Sequence, residues 1–494
     1  MNTNRRDFIK IFTSGVSVIS MSAFFSGLSC MTSWKQRPNI LWLDAEDLCP
    51  DLNCYGNLIV KTPNLNKLAS EGIRYENAFT TSPVCSPSRS AIFTGMYQTT
   101  IGAHHHRSHR EDGYELPDGV KLVTEYFREA GYFCCRCEAE EPDTPGKLDF
   151  NFKMTFDEAF DGTSWNQCED GQPFFAHVHF KETHRTFESD PDNPIDPHYV
   201  HIPPYYPDHP ITRKDWALYL ETVQVLDKKI GKILNKLEET GLSENTIVFF
   251  TGDHGRPMLR GKQWLYDSGI HIPLIIRWKG KIKPGQVSDK LVSSIDFAPT
   301  WLKMAGINPP ANMQGRNILD DKTEREYIFS ARDRCDETDD RIRCVRSRYY
   351  KYIRNFDPEL PYMQFNAYKK YQYPVWTLMN YLNKKGMLNS VQESWMAPSR
   401  PLEELYDLEN DPYEIHNLAN KPEYKGVLEE YRNKLDKWIK ETGDQGEVPE
   451  DESIKRYWDE VAVQKFRQRM ESRGLKPDIS DEEHLKWWQD FMGV

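Results

Sequence analysis

The 494-residue sequence has no long unbroken apolar run, and its mean hydropathy is −0.71, which argues against a bundle of membrane-spanning helices. Positive charge is in deficit: 63 Lys and Arg stand against 75 Asp and Glu, a formal net charge of −12. A chain that binds nucleic acid by displacing counterions needs the opposite balance, so no nucleic-acid partner is expected. Cysteine is scarce, with 10 residues in the chain, far below the density of a disulfide-built scaffold. Internal repeats and strong low-complexity tracts are missing. Aromatics, at 13%, are too plentiful for a disordered polymer. What remains is a large folded chain that buries its own core. Any anionic ligand must be captured by a local basic site, because the overall field repels it.

The first thirty residues read apart from the fold. MNTNRRDFIK and the short, Ser- and Gly-interrupted apolar run to Leu28 have the layout of an export signal, and Arg5-Arg6 with Phe8 and Lys10 resembles a twin-arginine signal. A membrane anchor is the alternative, but the run is short for one. Ser29-Cys30 is a candidate lipoprotein junction with Cys30 acylated, although Gly27 stands where Leu is usual. The expected location is therefore the periplasm, or the outer membrane through a lipid anchor. Export permits disulfides, and Cys335 with Cys344, flanking a turn, is one candidate pair. Cys134, Cys135 and Cys137 lack a second cluster at metal spacing, so they read as buried or partly paired thiols.

Strands and helices then alternate. Residues 39–43 (NILWL), 174–180 (FFAHVHF), 246–251 (TIVFFT) and 274–278 (LIIRW) are apolar runs suited to buried strands. Residues 62–70 are helical with Pro63 near the start, and 296–306 form another helix. Trp216, Leu220, Val223, Leu226, Ile230, Ile233 and Leu237 recur at helical spacing, with Gly241 as a stop. The Pro-rich stretch 190–210 reads as a long surface loop. Buried strands alternating with long helices predict an α/β domain over residues 36–320, with a large, mostly parallel or mixed sheet flanked by helices. Beyond about 320 the segments shorten: 326–330, then 342–345 and 349–354 as a hairpin, then charged amphipathic helices. This predicts a smaller C-terminal α+β subdomain, residues 321–494, with an antiparallel sheet.

The residues with chemistry follow strand ends, where ligands collect in such sheets. Glu46 and Asp47 directly follow the first strand, and adjacent acids there are costly unless a hard divalent ion takes their oxygens. Thr251-Gly252-Asp253-His254-Gly255 ends another strand, and His184 follows the 174–180 strand. His177 and His179 alternate within that strand, and at least one reads as a core histidine. Cys85-Ser86-Pro87-Ser88-Arg89 is a small-residue turn that opens an apolar helical segment, with a thiol where a helix N-terminus favours an anion.

The string Cys85-x-Pro87-Ser88-Arg89 resembles the signature of type I sulfatases, members of the alkaline-phosphatase-like superfamily. The resemblance extends over about residues 37–440 and includes Gly261-Lys262-Gln263-Trp264 and Leu405-Tyr406-Asp407-Leu408. It implies hydrolysis of sulfate esters or N-sulfate on carbohydrates by an exported bacterial enzyme. It also implies that Cys85 is converted to formylglycine by a formylglycine-generating or anaerobic sulfatase-maturing enzyme. Glu46, Asp47, Asp253, His254 and residue 85 would hold one divalent metal, Ca2+. Glu46 replaces the usual Asp and His254 the usual Asn. Arg89 would orient the hydrated formylglycine, Lys262 and Lys147 would bind sulfate, and His184 would bind sulfate or protonate the leaving group. A further family histidine has no counterpart, since Asp149 occupies the nearest place.

Glycosaminoglycan or mucin fragments are the expected substrates. The stretches 101–108 and 266–273 are similar to those of sulfamidase-like bacterial sulfatases, a pointer to heparan-type N- or O-sulfate. His104, His105, His106 and His109 are candidates for the pocket wall or an exposed polar loop. Arg332-Asp333-Arg334 with Asp336-Glu337, at the end of a subdomain strand, are candidates for sugar contacts or a surface ion-pair cluster. Two other classes share parts of the pattern: a phosphodiesterase or phosphonate hydrolase of the same superfamily, and a silent glycan-binding protein if Cys85 stays a thiol.

Overall fold

The computed structural model describes residues 37–108, 113–138 and 148–494. The export-signal reading with Cys30, together with His109 and Lys147, lies outside the described residues. Strand β1 (Asn39–Ala45) is buried along its whole length, as its apolar run requires. It is followed by α1 (Pro63–Ser70), which starts on the proline, then β2 (Ile73–Phe79), α2 (Cys85–Thr94), α3 (Val123–Glu129), β3 (Phe133–Glu138) and β4 (Phe174–Phe180). The 30-residue helix α4 (Pro210–Glu239) carries the expected apolar spacing one turn and more beyond it on the N-terminal side. Then come β5 (Thr246–Gly252), β6 (His271–Arg277), β7 (Gln286–Ser293) and α5 (Phe297–Met304).

These strands make one sheet in the order β3-β4-β1-β5-β6-β2-β7. Neighbours are parallel except β6, which is antiparallel to both β5 and β2, so the sheet is mixed. Side chains alternate between its faces. Leu41, Leu43 and Ala45 of β1 pack with Trp216, Leu220 and Val223 of α4 and Leu65 of α1. Ile40 and Trp42 pack on the opposite face with Phe93 of α2, Phe127 of α3 and Trp301 of α5.

The second sheet is antiparallel, with order β11-β10-β9-β8: β8 (Ile328–Arg332), β9 (Ile342–Arg346), β10 (Tyr350–Asn355) and β11 (Glu403–Asp407). Its Ile328, Ile342, Cys344 and Ile353 belong to the same continuous core as β1 and α4. Two bonds stitch it to the segment before Cys85: Ala331 N–H donates to the Thr81 carbonyl at 2.9 Å, and Ser330 Oγ donates to the Thr80 carbonyl at 2.6 Å. Cys335 and Cys344 do not form the expected disulfide. Both are free buried thiols, Cys344 within β9 and Cys335 in a tight turn closed on Thr338. Cys134, Cys135 and Cys137 are buried in β3.

Helices α6 (Ala367–Gln372), α7 (Pro374–Lys385), α8 (Lys425–Thr442), α9 (Glu452–Ser472) and α10 (Asp481–Met492) complete the described chain. None of the described helices is long and apolar enough to cross a membrane. Trp42 sits at the centre of the large sheet, fully buried, stacked on His177 at 4.0 Å and against Trp301 at 4.7 Å. Trp42→Ala should lower unfolding stability by about 3–5 kcal/mol, read from chemical denaturation.

Candidate active site

The site is assembled by strand register. Asp44 and Ala45 of β1 lie opposite Thr251 and Gly252 of β5, so the chain leaves both strands side by side. The two turns are bonded together: Asp47 N–H donates to Asp253 Oδ1 at 2.9 Å, and Asp253 N–H donates to the Ala45 carbonyl at 3.1 Å. Asp47 takes a left-handed φ of 53°, a conformation aspartate tolerates better than most residues. On the other side of β1, Ala45 lies opposite Phe180 of β4, and the turn after β4 carries His184.

Cys85 is the first residue of α2, a helix in which all ten residues are buried. Ser88 Oγ ties that helix to the β5 turn by donating to the Asp253 carbonyl at 2.7 Å. Lys262 arrives on a loop so compact that a Cβ on Gly269 would stand 2.0 Å from the Trp264 carbonyl oxygen. Ligand atoms of Asp47, Cys85, Asp253 and His254 thereby all lie within 4.8 Å of one another, each on a buried residue. Cys85 Sγ is 3.4 Å from His254 Nε2 and 3.5 Å from Lys262 Nζ.

Charge compensation holds this cluster. Lys262 Nζ donates to both Asp47 oxygens at 2.9 Å. Burial alone would push its ammonium down, but Asp47 and Cys85 raise it well above its ordinary value, so it stays charged. Arg89, only 1% exposed, faces Asp149 at 3.1 Å, Glu46 at 3.5 Å and Asp253 at 3.6 Å. For the Cys85 thiol, burial raises the pKa, while Lys262 and His254 outweigh it and bring it below the usual thiol range. His184 is pushed down by burial and by Lys262, leaving a neutral imidazole. Its Nδ1–H donates to the Arg185 carbonyl at 2.6 Å, and its Nε2 lies 3.5 Å from the Tyr368 hydroxyl.

Cys85, Lys262 and His184 open into a cavity of about 590 Å³. Its walls come from distant parts of the chain: His106 and Arg107, then Arg334, Asp336 and Glu337 after β8, Tyr368 and Tyr371 of α6, and one side of α9.

A family model described as Sulfatase matches residues 38–134 and 139–307, more than half of the chain. The chain belongs to the sulfatase family. A second model, N-sulphoglucosamine sulphohydrolase C-terminal, matches residues 252–373. An ulvan-active sulfatase of Formosa agariphila is 37% identical over 91% of this chain and 85% of its own length. Human N-sulphoglucosamine sulphohydrolase is 27% identical over 83% of this chain and 91% of its own. A protein solved in complex with its substrate D-glucosamine-2-N,6-O-disulfate shares the fold, with TM-score 0.60, 19% identity, and coverage of 84% of this chain and 100% of its own.

In this sulfatase, the residues present fit a divalent cation. Asp253 Oδ2 is a buried carboxylate oxygen without a hydrogen-bond partner. His254 Nδ1–H donates to the Gly255 carbonyl at 2.9 Å, which fixes Nε2 toward Asp47 and Cys85, where displacement of its proton would leave a lone pair for the cation. Glu46 stands beside this group of four. Its longer side chain turns to His179 at 3.2 Å and to Arg89, and its carbonyl accepts from Thr183 Oγ1.

The candidate sugar contacts divide. Arg334 lines the cavity, bonded to Glu450 and donating to the Asp336 carbonyl at 2.6 Å. Arg332 does not reach the wall; it pairs with Asp340 at 3.0 Å and lies over the Trp264 ring. His105 lies behind the wall, its Nδ1 accepting from Arg334 N–H at 3.3 Å, whereas the next residue, His106, lines it and pairs with Asp336 at 3.2 Å. His177 is a core residue, bonded to Asp44 at 3.0 Å.

Asp336 and Glu337, candidates alongside Arg334, do line the wall, whereas sequence reasoning missed Tyr368, Tyr371 and all of α9. No motif marks them, and only the packing of the C-terminal helices brings them to Cys85. Glu337 is pushed up to about 7, first by burial and then by Asp336 beside it, with Asp459 adding to this and the Ala367 N–H opposing it. A carboxyl raised in the folded state stabilises the fold below its ordinary value of 4.5, and that stability is lost as pH rises through about 7. Glu337→Gln keeps the side chain uncharged. The fall in melting temperature between about pH 5 and pH 8 should be smaller in this variant than in the unaltered protein.

Proposed function

We propose that this sulfatase removes sulfate from a sulfated carbohydrate fragment, with residue 85 as the nucleophile after oxidation of the Cys85 thiol to formylglycine by a dedicated maturation enzyme. One observation carries the reading: Cys85, in the string Cys-Ser-Pro-Ser-Arg, lies 3.5 Å from the Lys262 ammonium at the floor of the large cavity. Fragments of glycosaminoglycan or of ulvan fit relatives named for N-sulphoglucosamine and for ulvan. Export to the periplasm, with Cys30 as a possible lipid anchor, belongs to the same reading.

The cation we assign is Ca2+, which Asp47, Asp253, His254 and residue 85 would hold and whose charge would offset that of the sulfate and of the nucleophilic oxygen. The chain's own residues do the rest. Formylglycine hydrates to a geminal diol, and Lys262 stabilises the negative charge on one deprotonated diol oxygen. That oxygen attacks sulfur, and the bond from sulfur to the sugar oxygen breaks. An incoming sulfate raises the proton affinity of His184, so its Nε2 takes up the proton released by the attacking diol hydroxyl, by way of water, and hands it to the departing sugar oxygen. The second diol hydroxyl loses its proton, the aldehyde C=O re-forms, the bond to the sulfate oxygen breaks, and sulfate leaves. Arg89, clamped between Glu46 and Asp149, keeps the helix carrying residue 85 aligned with the β5 turn.

Peptide mass across Cys85, in protein made with a maturation enzyme, should show the conversion of thiol to aldehyde; an unmodified thiol in active protein would exclude this nucleophile. Cys85→Ala should reduce sulfate release from sulfated saccharides by more than about a thousandfold while saccharide binding persists. Faster turnover of phosphate or phosphonate esters than of sulfate esters would instead favour the phosphohydrolase reading. Chelation should lower the melting temperature, with Ca2+ restoring it, and Asp253→Asn should blunt that response as followed by differential scanning fluorimetry.

A further inference from the structure

Helix α9 begins at Glu452, beyond the residues covered by both family models, yet it forms a whole wall of the cavity above Cys85. Its two sides have separate tasks. Phe466 and Met470 are buried against Ala367 of α6 and anchor the helix. Lys465, Gln468, Arg469 and Ser472 recur at helical spacing and line the cavity beyond the apolar Trp458, Val461 and Ala462, so the last two turns present polar side chains to a concave space.

The cations around that space differ in how they are compensated. Lys262 is held by Asp47, Arg185 by Asp215 at 2.6 Å, and Arg334 by Glu450. Arg107 shares Asp336, at 3.5 Å, with His106. Arg469 is exposed and forms no ion pair among the described residues. It lines the same cavity as Arg107 and Tyr371. Asp336, which Arg107 faces, and Lys262 line that cavity too, so this second basic group and the sulfate site share one space.

Resting on the sulfatase reading, we propose that Arg469 and Arg107, flanked by Lys465, form a second anion subsite. It takes a carboxylate or a further sulfate on the same saccharide whose scissile sulfate lies at Lys262 and His184. Guanidinium groups suit either anion by paired N–H donation, and Tyr371 beside them offers a hydroxyl and a ring face to the connecting sugar. The preferred substrate is then a saccharide with at least two anionic groups.

The test uses matured, full-length protein and four substrates: a sulfated monosaccharide, and that sugar linked to a neutral hexose, to a hexuronic acid, or to a second sulfated hexose. The unaltered protein should favour one or both doubly anionic substrates in kcat/KM. Arg469→Ala should erase that preference, a loss of roughly 10- to 100-fold on those substrates with little change on the monosaccharide. Arg469→Lys should restore part of it, and the more favoured of the two arms identifies the anion. Equal kcat/KM on all substrates, or an equal loss on all in Arg469→Ala with an unchanged melting temperature, would overturn the subsite. If the unaltered protein desulfates none of the four, the sulfatase reading fails by itself. Binding to Cys85→Ala protein then decides the subsite: tighter capture of the doubly anionic disaccharides, lost on Arg469→Ala, upholds it, and equal binding overturns it.

Discussion

Asp44, Glu46, Asp47 and Asp253 are all buried at the carboxyl ends of two adjacent strands, where no water screens their mutual repulsion. This concentration of negative charge is the constraint on which the site depends. Arg89 and Lys262 enter from elsewhere in the chain to offset it, one on the helix that begins with Cys85 and one on the glycine-pinned loop. His177 and Arg136 support Asp44 from the core side. The same charges that make a cation favourable therefore also fix where the nucleophilic residue and the sulfate-binding lysine must stand. Disturbing one of them leaves another buried and uncompensated, which explains why helix, turn and loop are cross-bonded at so many points.

The second sheet is more than an appendage to this arrangement. It shares the apolar core of the first, it bonds through Ser330 and Ala331 to the segment before Cys85, and the chain leaving β8 supplies Arg334, Asp336 and Glu337 to the cavity. Chemistry thus sits on the large sheet, whereas most of the space around the sugar is shaped by later residues. That division lets the reacting centre stay constant while helices such as α6 and α9 change what is admitted.

Much of the fold was legible because buried strands need apolar runs and long surface helices need a periodic apolar face. Strand β4 falls where its run predicts, and α4 carries the expected stripe. The antiparallel placement of β6 was not legible, since a buried run reads alike in either direction. Nor was the free state of Cys335 and Cys344, because a turn in sequence says nothing about where two thiols point.

For the site, local sequence specified Cys85, Asp47, Asp253, His254 and His184 as residue types at strand or helix ends, where chemistry concentrates, and the family resemblance alone marked Lys262. Tertiary structure decided which of them meet. It drew Asp47, Asp253, His254 and Cys85 within 4.8 Å, turned Glu46 toward His179, removed Arg332 from the wall, and put His106 where its neighbour His105 was an equal candidate. It alone brought α9 over the cavity, through Phe466 and Met470 packing on Ala367. The physical reason is one of range. Propensity, burial pattern and turn chemistry act over a few residues, whereas charge compensation and side-chain direction depend on partners tens to hundreds of positions away.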